Sequence, residues 1–189
     1  MGEGLRVLFV CTGNIYRSPM AEAFCRSAIE ERGLDFTTGS AGTLEGDRPI
    51  AQIALSQIEQ ADPQMAAHRS TLLSAQDIRS ADLIIGMARA HVREVVVLVP
   101  DAWNRTFTLK ELVRRGERIG PRQPGQTLAD WLAAVDTGRS RSDLLGDSVL
   151  DDIEDPVGGS TSLVRIVARE IRSAVRALIE LVSPAAPPT

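Results

Sequence analysis

Cysteine is scarce in this chain of 189 residues: there are two, Cys11 and Cys25. Two thiols build no disulfide framework, and with only two histidines they offer no zinc-ligand spacing, so neither a metal nor a cofactor is expected. Lysine is scarcer still, since of 21 basic residues only Lys110 is lysine. That bias, beside abundant alanine, predicts a GC-rich bacterial coding sequence. Long apolar runs are missing: none approaches the roughly 20 residues a bilayer crossing requires, and no membrane partner is expected. A basic excess is missing too. The formal net charge of -4 speaks against a nucleic-acid binder. The opening MGEGLR is too acidic and too short of apolar residues for a secretory signal, and Arg6 stands where a myristoylation signal needs Ser or Thr. A cytoplasmic location is expected.

What is present is ordinary for a globular chain: 43% hydrophobic and 24% charged residues, in a length that suits one domain with little left for a second. Four β-like runs stand out, LRVLFV (5–10), FTTGSA (36–41), DLIIGM (82–87) and VVVLV (95–99). The first, third and fourth are almost continuously apolar, as strands covered on both faces are. Helical patterns lie between and after them. SPMAEAFCRSAIEERG starts with Ser18 as N-cap and Pro19 at the first helical position and stops at Gly33. Pro49 to about Ala61 is a second helix. STSLVRIVAREIRSAVRALIELV (160–182) places Leu163, Ile166, Val167, Ile171, Ala174, Val175 and Leu178 on one helical face. Alternating strands and helices predict an α/β fold, a single three-layer domain over residues 1–182 with a parallel four-stranded sheet and helices on both faces.

Residues 101–150 break the rhythm and read as an extra helical insertion. TLKELVRR and TLADWLAAV form short helices around the Gly/Pro-rich GERIGPRQPGQ, and Trp131 falls with Leu128, Leu132 and Val135 on one face, which assigns it to packing. TGRSRSDLLGDS reads as a solvated loop, and 183–189 as a disordered tail.

Residues 11–19 read CTGNIYRSP directly after LRVLFV. A helix opening at Ser18-Pro19 turns its unpaired N–H groups and positive dipole end back on the preceding loop. Gly13 lets that loop curl, so that backbone N–H groups from Thr12, Gly13, Asn14, Ile15, Tyr16, Arg17 and Ser18 converge into an anion-binding nest. Arg17 adds a planar fork suited to two phosphoryl oxygens. Cys11 then lies on the floor of a positively polarised bowl that favours its thiolate, with the Ser18 hydroxyl able to hydrogen-bond the sulfur. A thiolate beneath a bound phosphate is a nucleophile aimed at phosphorus, with amides and Arg17 facing the oxygens whose charge must be stabilised. Cys-x5-Arg alone recurs by chance, and a buried cysteine is ordinarily an inert small hydrophobe; Cys25, mid-helix, reads that way. Around Cys11, strand, glycine, arginine, serine and proline coincide.

With CTGNIYRSPMAE at 11–22 the chain resembles the low-molecular-weight protein tyrosine phosphatases, whose signature runs Cys-x-Gly-Asn-x-x-Arg-Ser-Pro and then Met-Ala-Glu. SAGT (40–43), HRS (68–70), ADLIIGM (81–87) and DP (155–156) resemble further elements of that family in order, so the likeness spans about 5–100 and 150–182. The resemblance implies a flavodoxin-like strand order 2-1-3-4. It implies Cys11 as nucleophile, Arg17 as phosphate clamp and Ser18 as hydrogen-bond donor to the thiolate. Asn14, Ser40 and His68 are implied to support the phosphate loop; taken alone, His68 reads as an ordinary histidine. Asp155 is implied as general acid and then base for a phosphocysteine intermediate. Asp151, Asp152 and Glu154 stand near enough to leave that assignment open on sequence; Pro156, restraining the backbone, favours Asp155, and Asp151 and Asp152 read as a solvated acidic loop. The implied substrate is a phosphotyrosine protein, with a bacterial tyrosine kinase as the implied partner, and phosphate-like anions should bind.

The chain departs from the family pattern at four places. Tyr16 stands where many relatives carry a second cysteine, which predicts a nucleophile open to irreversible oxidation. Val157-Gly158 replaces the aromatic that often follows Asp-Pro, and LEGDRP (44–49) has none either, leaving the aryl wall to be looser or supplied by 101–150. The 101–150 segment is longer than in compact relatives. Ile15 stands where phosphoarginine phosphatases resemble one another in a threonine able to bond the guanidinium, which favours an aryl ester here. Two other activities compete. An arsenate reductase relaying electrons internally needs cysteines after the third strand, and 82–110 has none, leaving only a version that uses an external small thiol. A non-catalytic phosphoprotein-binding module would have lost Cys11, Arg17 or Asp155.

Overall fold

The computed structural model describes residues 4–183. Its strands are β1 (Leu5–Cys11), β2 (Phe36–Gly42), β3 (Leu83–Gly86) and β4 (Thr106–Thr108). They form a parallel sheet in the order β2-β1-β3-β4, the expected flavodoxin-like arrangement. Parallel neighbours need crossover connections, and helices supply them. These are α1 (Arg17–Arg32) between β1 and β2, α2 (Gln52–Ile58) and α3 (Ala75–Ser80) between β2 and β3, and α4 (Arg89–Leu98) between β3 and β4; α5 (Leu109–Ile119), α6 (Leu128–Asp136) and α7 (Thr161–Val182) follow the last strand. Side chains of β1 alternate as a strand's must: Leu5, Val7, Phe9 and Cys11 pack towards α1, α5 and α7, while Leu8 and Val10 pack towards α3 and α4. Both faces of the sheet are therefore covered, which is why β1 and β3 read as unbroken apolar runs.

The fourth strand lies elsewhere than the sequence predicted. VVVLV (95–99) is no strand: Val95 to Leu98 complete α4, with Val99 as its C-cap. Val92, Val95 and Val99 are buried while Val97 is 76% exposed, so the apolar positions follow a helical period. β-branched residues fit strands only where packing agrees, and here the burial of one helical face outweighed that preference. The true β4 is the short run Thr106-Phe107-Thr108 inside the 101–150 segment, with all three residues buried and Phe107 opposite Ile85. Three residues carry too little alternation to be read.

Ser18 is likewise not an N-cap. α1 begins at Arg17 with Tyr16 as its cap and no capping side chain, and Ser18, already inside the helix, turns its hydroxyl to Cys11 Sγ instead. Pro19 falls at the third helical position, still among the N–H groups that have no intrahelical acceptor. Gly33 does close α1, in the left-handed conformation (φ 61°) that glycine adopts without strain. The helix expected from Pro49 shortens to α2. On α7, Ile166 is 53% exposed and Val164 takes the buried place. Trp131 packs in the core as expected and donates Nε1–H to Gly120 O at 2.9 Å. Of the segment read as a tail, Ser183 caps α7 and 184–189 lies outside the described residues. Among the described residues no helix is long and apolar enough to cross a membrane.

Candidate active site

β1 is an inner strand, with β2 on one side and β3 on the other, so chains leaving the carboxyl ends of β1 and β3 diverge and open a crevice between them. The 11–17 loop fills the floor of that crevice. Its carbonyls are all engaged: Cys11 O accepts from Thr43 N (3.0 Å), Thr12 O from Leu44 N (3.0 Å), Ile15 O from Ala51 N (3.0 Å) and Tyr16 O from Met20 N (3.1 Å). Asn14 O meets His68 Nε2 at 2.9 Å, and Gly13 O takes a long 3.5 Å contact from Arg48. A trans peptide points C=O and N–H in opposite directions. Carbonyls held outward therefore turn the loop's amides inward, and the Asn14 amide donates to Cys11 Sγ at 3.2 Å. Cys11 Sγ also lies 3.0 Å from Ser18 Oγ.

Asn14 adopts φ 49°, a left-handed conformation that costs of order 1–3 kcal/mol in a non-glycine residue and needs compensation. The compensation is visible. Asn14 Nδ2 donates to Ser18 Oγ (3.0 Å) and Ser40 Oγ (2.8 Å), and Asn14 Oδ1 accepts from Thr71 N (3.0 Å). Ser40 Oγ donates to Glu22 Oε2 at 2.6 Å; Glu22 is ion-paired with Arg26, and Arg26 with Asp62. Asp62 caps the short 3-10 turn Pro63–Ala67, accepting from Gln64 N at 3.1 Å, and His68 ends that turn with its ring on Asn14 O. The chain of bonds thus runs from the Asn14 side chain through a buried ion pair and back to the Asn14 carbonyl. Sequence brought Asn14, Ser18, Ser40 and His68 together; Glu22, Arg26, Asp62 and the Thr71 amide it did not. The Glu22–Arg26 spacing of four residues on α1 was the one readable trace.

Arg17 is 5% exposed. Its guanidinium donates to Ile153 O (3.2 Å) and to Asp155 Oδ2 (2.5 Å), and lies 3.5 Å from Thr12 Oγ1. His91 was not foreseen. It is buried on α4 with Nε2 at 3.0 Å from Thr12 Oγ1, and its Nδ1 has no hydrogen-bond partner among the described residues. Burial first, and then the charges of Arg17 and Arg93, lower its pKa to about 3, so the ring is neutral. Cys25 is the opposite of a nucleophile: burial above all pushes its thiol up to about 12.

The acidic loop corrects one expectation. Asp151 is 5% exposed rather than solvated, and Asp152 is half-buried, while Glu154 and Asp155 face solvent. Burial alone would raise the Asp151 carboxyl, but hydrogen bonds and charge from Arg114 and Arg89 outweigh it and hold the group below its usual value. Asp155 Oδ1 accepts from Val157 N at 3.2 Å, which turns the other oxygen towards Arg17.

These groups enclose a cavity of about 190 Å³ floored by Cys11, Thr12, Gly13 and Arg17 and walled by Ile15, Tyr16, Leu44, Arg48, Asp155 and Val157. Its wall draws on no residue of 101–150, and its aromatic member is Tyr16. A larger depression of about 840 Å³ at the amino-terminal end of the sheet brings neither cysteine nor histidine to its walls, so the chemistry collects in the smaller one. Among the described residues no three His, Cys, Asp or Glu side chains are placed to hold a metal ion.

A family model described as low molecular weight phosphotyrosine protein phosphatase matches residues 6–124, more than half of the chain. A protein-arginine-phosphatase of Geobacillus stearothermophilus is 36% identical over 109 residues, covering 57% of this chain and 71% of that protein. A probable low molecular weight protein-tyrosine-phosphatase, EpsP, of Ralstonia solanacearum is 31% identical over 132 residues, 70% of this chain and 89% of its own. The crystal structure of a low molecular weight protein tyrosine phosphatase from T. tengcongensis superposes with a TM-score of 0.70 at 28% identity, covering 94% of this chain and 99% of that one. The chain belongs to the low molecular weight phosphotyrosine protein phosphatase family.

Proposed function

We propose that the protein is a cytoplasmic, cysteine-dependent phosphomonoester hydrolase whose substrate is a phosphotyrosine-bearing protein, a bacterial tyrosine kinase being one such partner. The observation that carries this reading is the carbonyl-out, amide-in loop around Cys11, facing a cavity shared with Arg17 and Asp155. A phosphate dianion seated there takes the Arg17 fork and the inward amides on its oxygens, with phosphorus above Cys11 Sγ. The sulfur attacks phosphorus, the P–O ester bond breaks with its electron pair leaving on oxygen, and protonated Asp155 gives that oxygen its proton. Water then attacks the S-phosphocysteine, Asp155 carboxylate takes the water's proton, the S–P bond breaks, and inorganic phosphate leaves with Cys11 again a thiolate.

Asn14, Ser40 and His68 act by holding the loop, with Glu22 behind them. No relay thiol is at hand for arsenate reduction, since Cys25 is buried in α1 and stays protonated. The test is aryl phosphate hydrolysis by wild type, Cys11→Ser and Asp155→Asn. The first substitution should abolish turnover. The second should slow it by ~10²-fold or more with poor leaving groups, within the range a general acid supplies. A Cys11→Ser variant with full activity would overturn the reading.

One observation favours a second substrate class, because two of the curated relatives, at 36% and 35% identity, are named protein-arginine-phosphatases. Against it stands Ile15 in the cavity wall, a branched hydrocarbon with no atom to accept a guanidinium N–H. Hydrolysis of a phosphoarginine protein faster than of a phosphotyrosine peptide would decide for that class.

A further inference from the structure

From residue 145 to residue 160 the chain forms neither helix nor strand, yet it delivers Asp155 to the cavity. A segment without ladder hydrogen bonds sits where its side chains anchor it. The deepest anchor is Asp151. Its Oδ2 accepts from Arg89 Nε (3.1 Å) and NH2 (2.6 Å) on α4, and its Oδ1 accepts from Arg114 NH2 (2.6 Å) on α5. One carboxylate thereby ties helices from opposite faces of the sheet across its carboxyl edge, in the fork geometry that makes such pairs directional. Neighbouring bonds tighten the same stretch: Arg89 N donates to Asp152 Oδ1 (2.8 Å), and Lys110 Nζ donates to Val149 O (2.8 Å) and Asp152 O (3.0 Å). Two residues on, the Ile153 amide donates to Met87 O (2.8 Å) and the Ile153 carbonyl accepts from Arg17.

Asp155 itself is loosely held. Its side chain is 45% exposed, and its partners are Arg17 and the Val157 amide. When Arg17 turns its fork to a phosphate, the direct tie to Asp155 is shared or lost, and the reach of that carboxyl towards the leaving oxygen depends on the anchors upstream. We infer that Asp151, through its clamp on Arg89 and Arg114, is a positioning residue for the proton-transfer step. It touches no reacting atom. This rests on Asp155 being the proton donor of the proposed function.

The experiment compares kcat/KM for phenyl phosphate and 2,4-dinitrophenyl phosphate in wild type, Asp151→Asn, Asp155→Asn and the double variant, with inorganic phosphate as competitive inhibitor. Asp151→Asn should lose about tenfold or more on phenyl phosphate and less than about threefold on the dinitrophenyl ester, part of what a general acid supplies. Phosphate inhibition should not change, because the loop that binds it is intact. In the Asp155→Asn background the Asp151 substitution should add almost nothing, as expected of residues acting through one another. Equal losses on both esters, or a fully additive double variant, would overturn the inference while leaving Asp155 as donor. A leaving-group profile that Asp155→Asn does not alter would overturn the donor assignment and the inference with it. Should Asp151→Asn fail to fold, Arg114→Gln, at a more exposed partner, carries the same comparison in milder form; a uniform loss there counts against the clamp.

Discussion

At the scale of single residues, Asn14 carries the most. Its positive φ is tolerated because its side chain fastens Ser18, Ser40 and the Thr71 amide at once. Asn14→Ala removes all three fastenings while keeping the strain, so the loop should relax and kcat/KM should fall by ~10²-fold or more, the sensitivity expected when a reacting group is misplaced by about 1 Å. Thermal melting should show the fold surviving that change. The two cysteines should separate by chemistry: iodoacetate on the native protein should label Cys11, which opens on the cavity, and leave Cys25, whose buried thiol is pushed up to about 12, untouched until unfolding. Phosphate should slow the labelling, and mass analysis of the two peptides reads the result. With a tyrosine at position 16 of the loop and Cys25 buried in the helix behind it, no second thiol faces the cavity, so peroxide-inactivated protein should recover incompletely with a dithiol.

At the scale of elements, the loop's shape depends on β2 as much as on α1. A Cβ on Gly42, opposite Cys11 in the sheet, would come within 2.9 Å of Thr12 O and 3.1 Å of Asn14 N. Both are backbone atoms of the phosphate loop, which cannot swing aside as a side-chain tip can. Gly42→Ala should therefore cut activity and phosphate affinity together, with a melting point lowered by a smaller relative effect; unchanged phosphate affinity would contradict the contact. This is also why SAGT could be recognised as a pattern yet not explained without the structure. Legibility followed the length of the pattern. The long α7 stripe repeats a helical period over enough residues to fix its type, LRVLFV and ADLIIGM were legible as unbroken apolar runs of the kind a strand covered on both faces carries, and the 11–19 stretch could be read as chemistry because its residue types coincide within one turn. VVVLV misled because a short apolar run has no visible period, and the valines' burial at 92, 95 and 99 is a tertiary fact. TFT was too short. Asp151 was misread for a related reason: its partners Arg89 and Arg114 lie far away in sequence, and an acidic cluster without its partners looks solvated.

For the whole molecule, the buried charges predict how stability follows pH. His91 is neutral when folded because burial, Arg17 and Arg93 hold its pKa at about 3, against 6.5 for a free histidine. As pH falls through that upper value the unfolded chain binds the proton first, so stability is full above it and is lost progressively down to the lower one. The loss should reach about 2 kcal/mol at pH 5. Carboxylates such as Asp151, held low by their arginines, withdraw their contribution only at more acid pH. His91→Asn should flatten the fall in melting temperature between pH 7 and pH 5; a slope equal to wild type would remove His91 from the account. Whether Cys11 takes the phosphoryl group can be read by acid-quenching the enzyme during turnover of an aryl phosphate and mapping the covalent adduct by mass spectrometry. A phosphoryl adduct is expected on the peptide carrying Cys11, formed in step with a burst of the aryl alcohol and absent from Cys11→Ser. A burst without that adduct, or an adduct on any other residue, would contradict it.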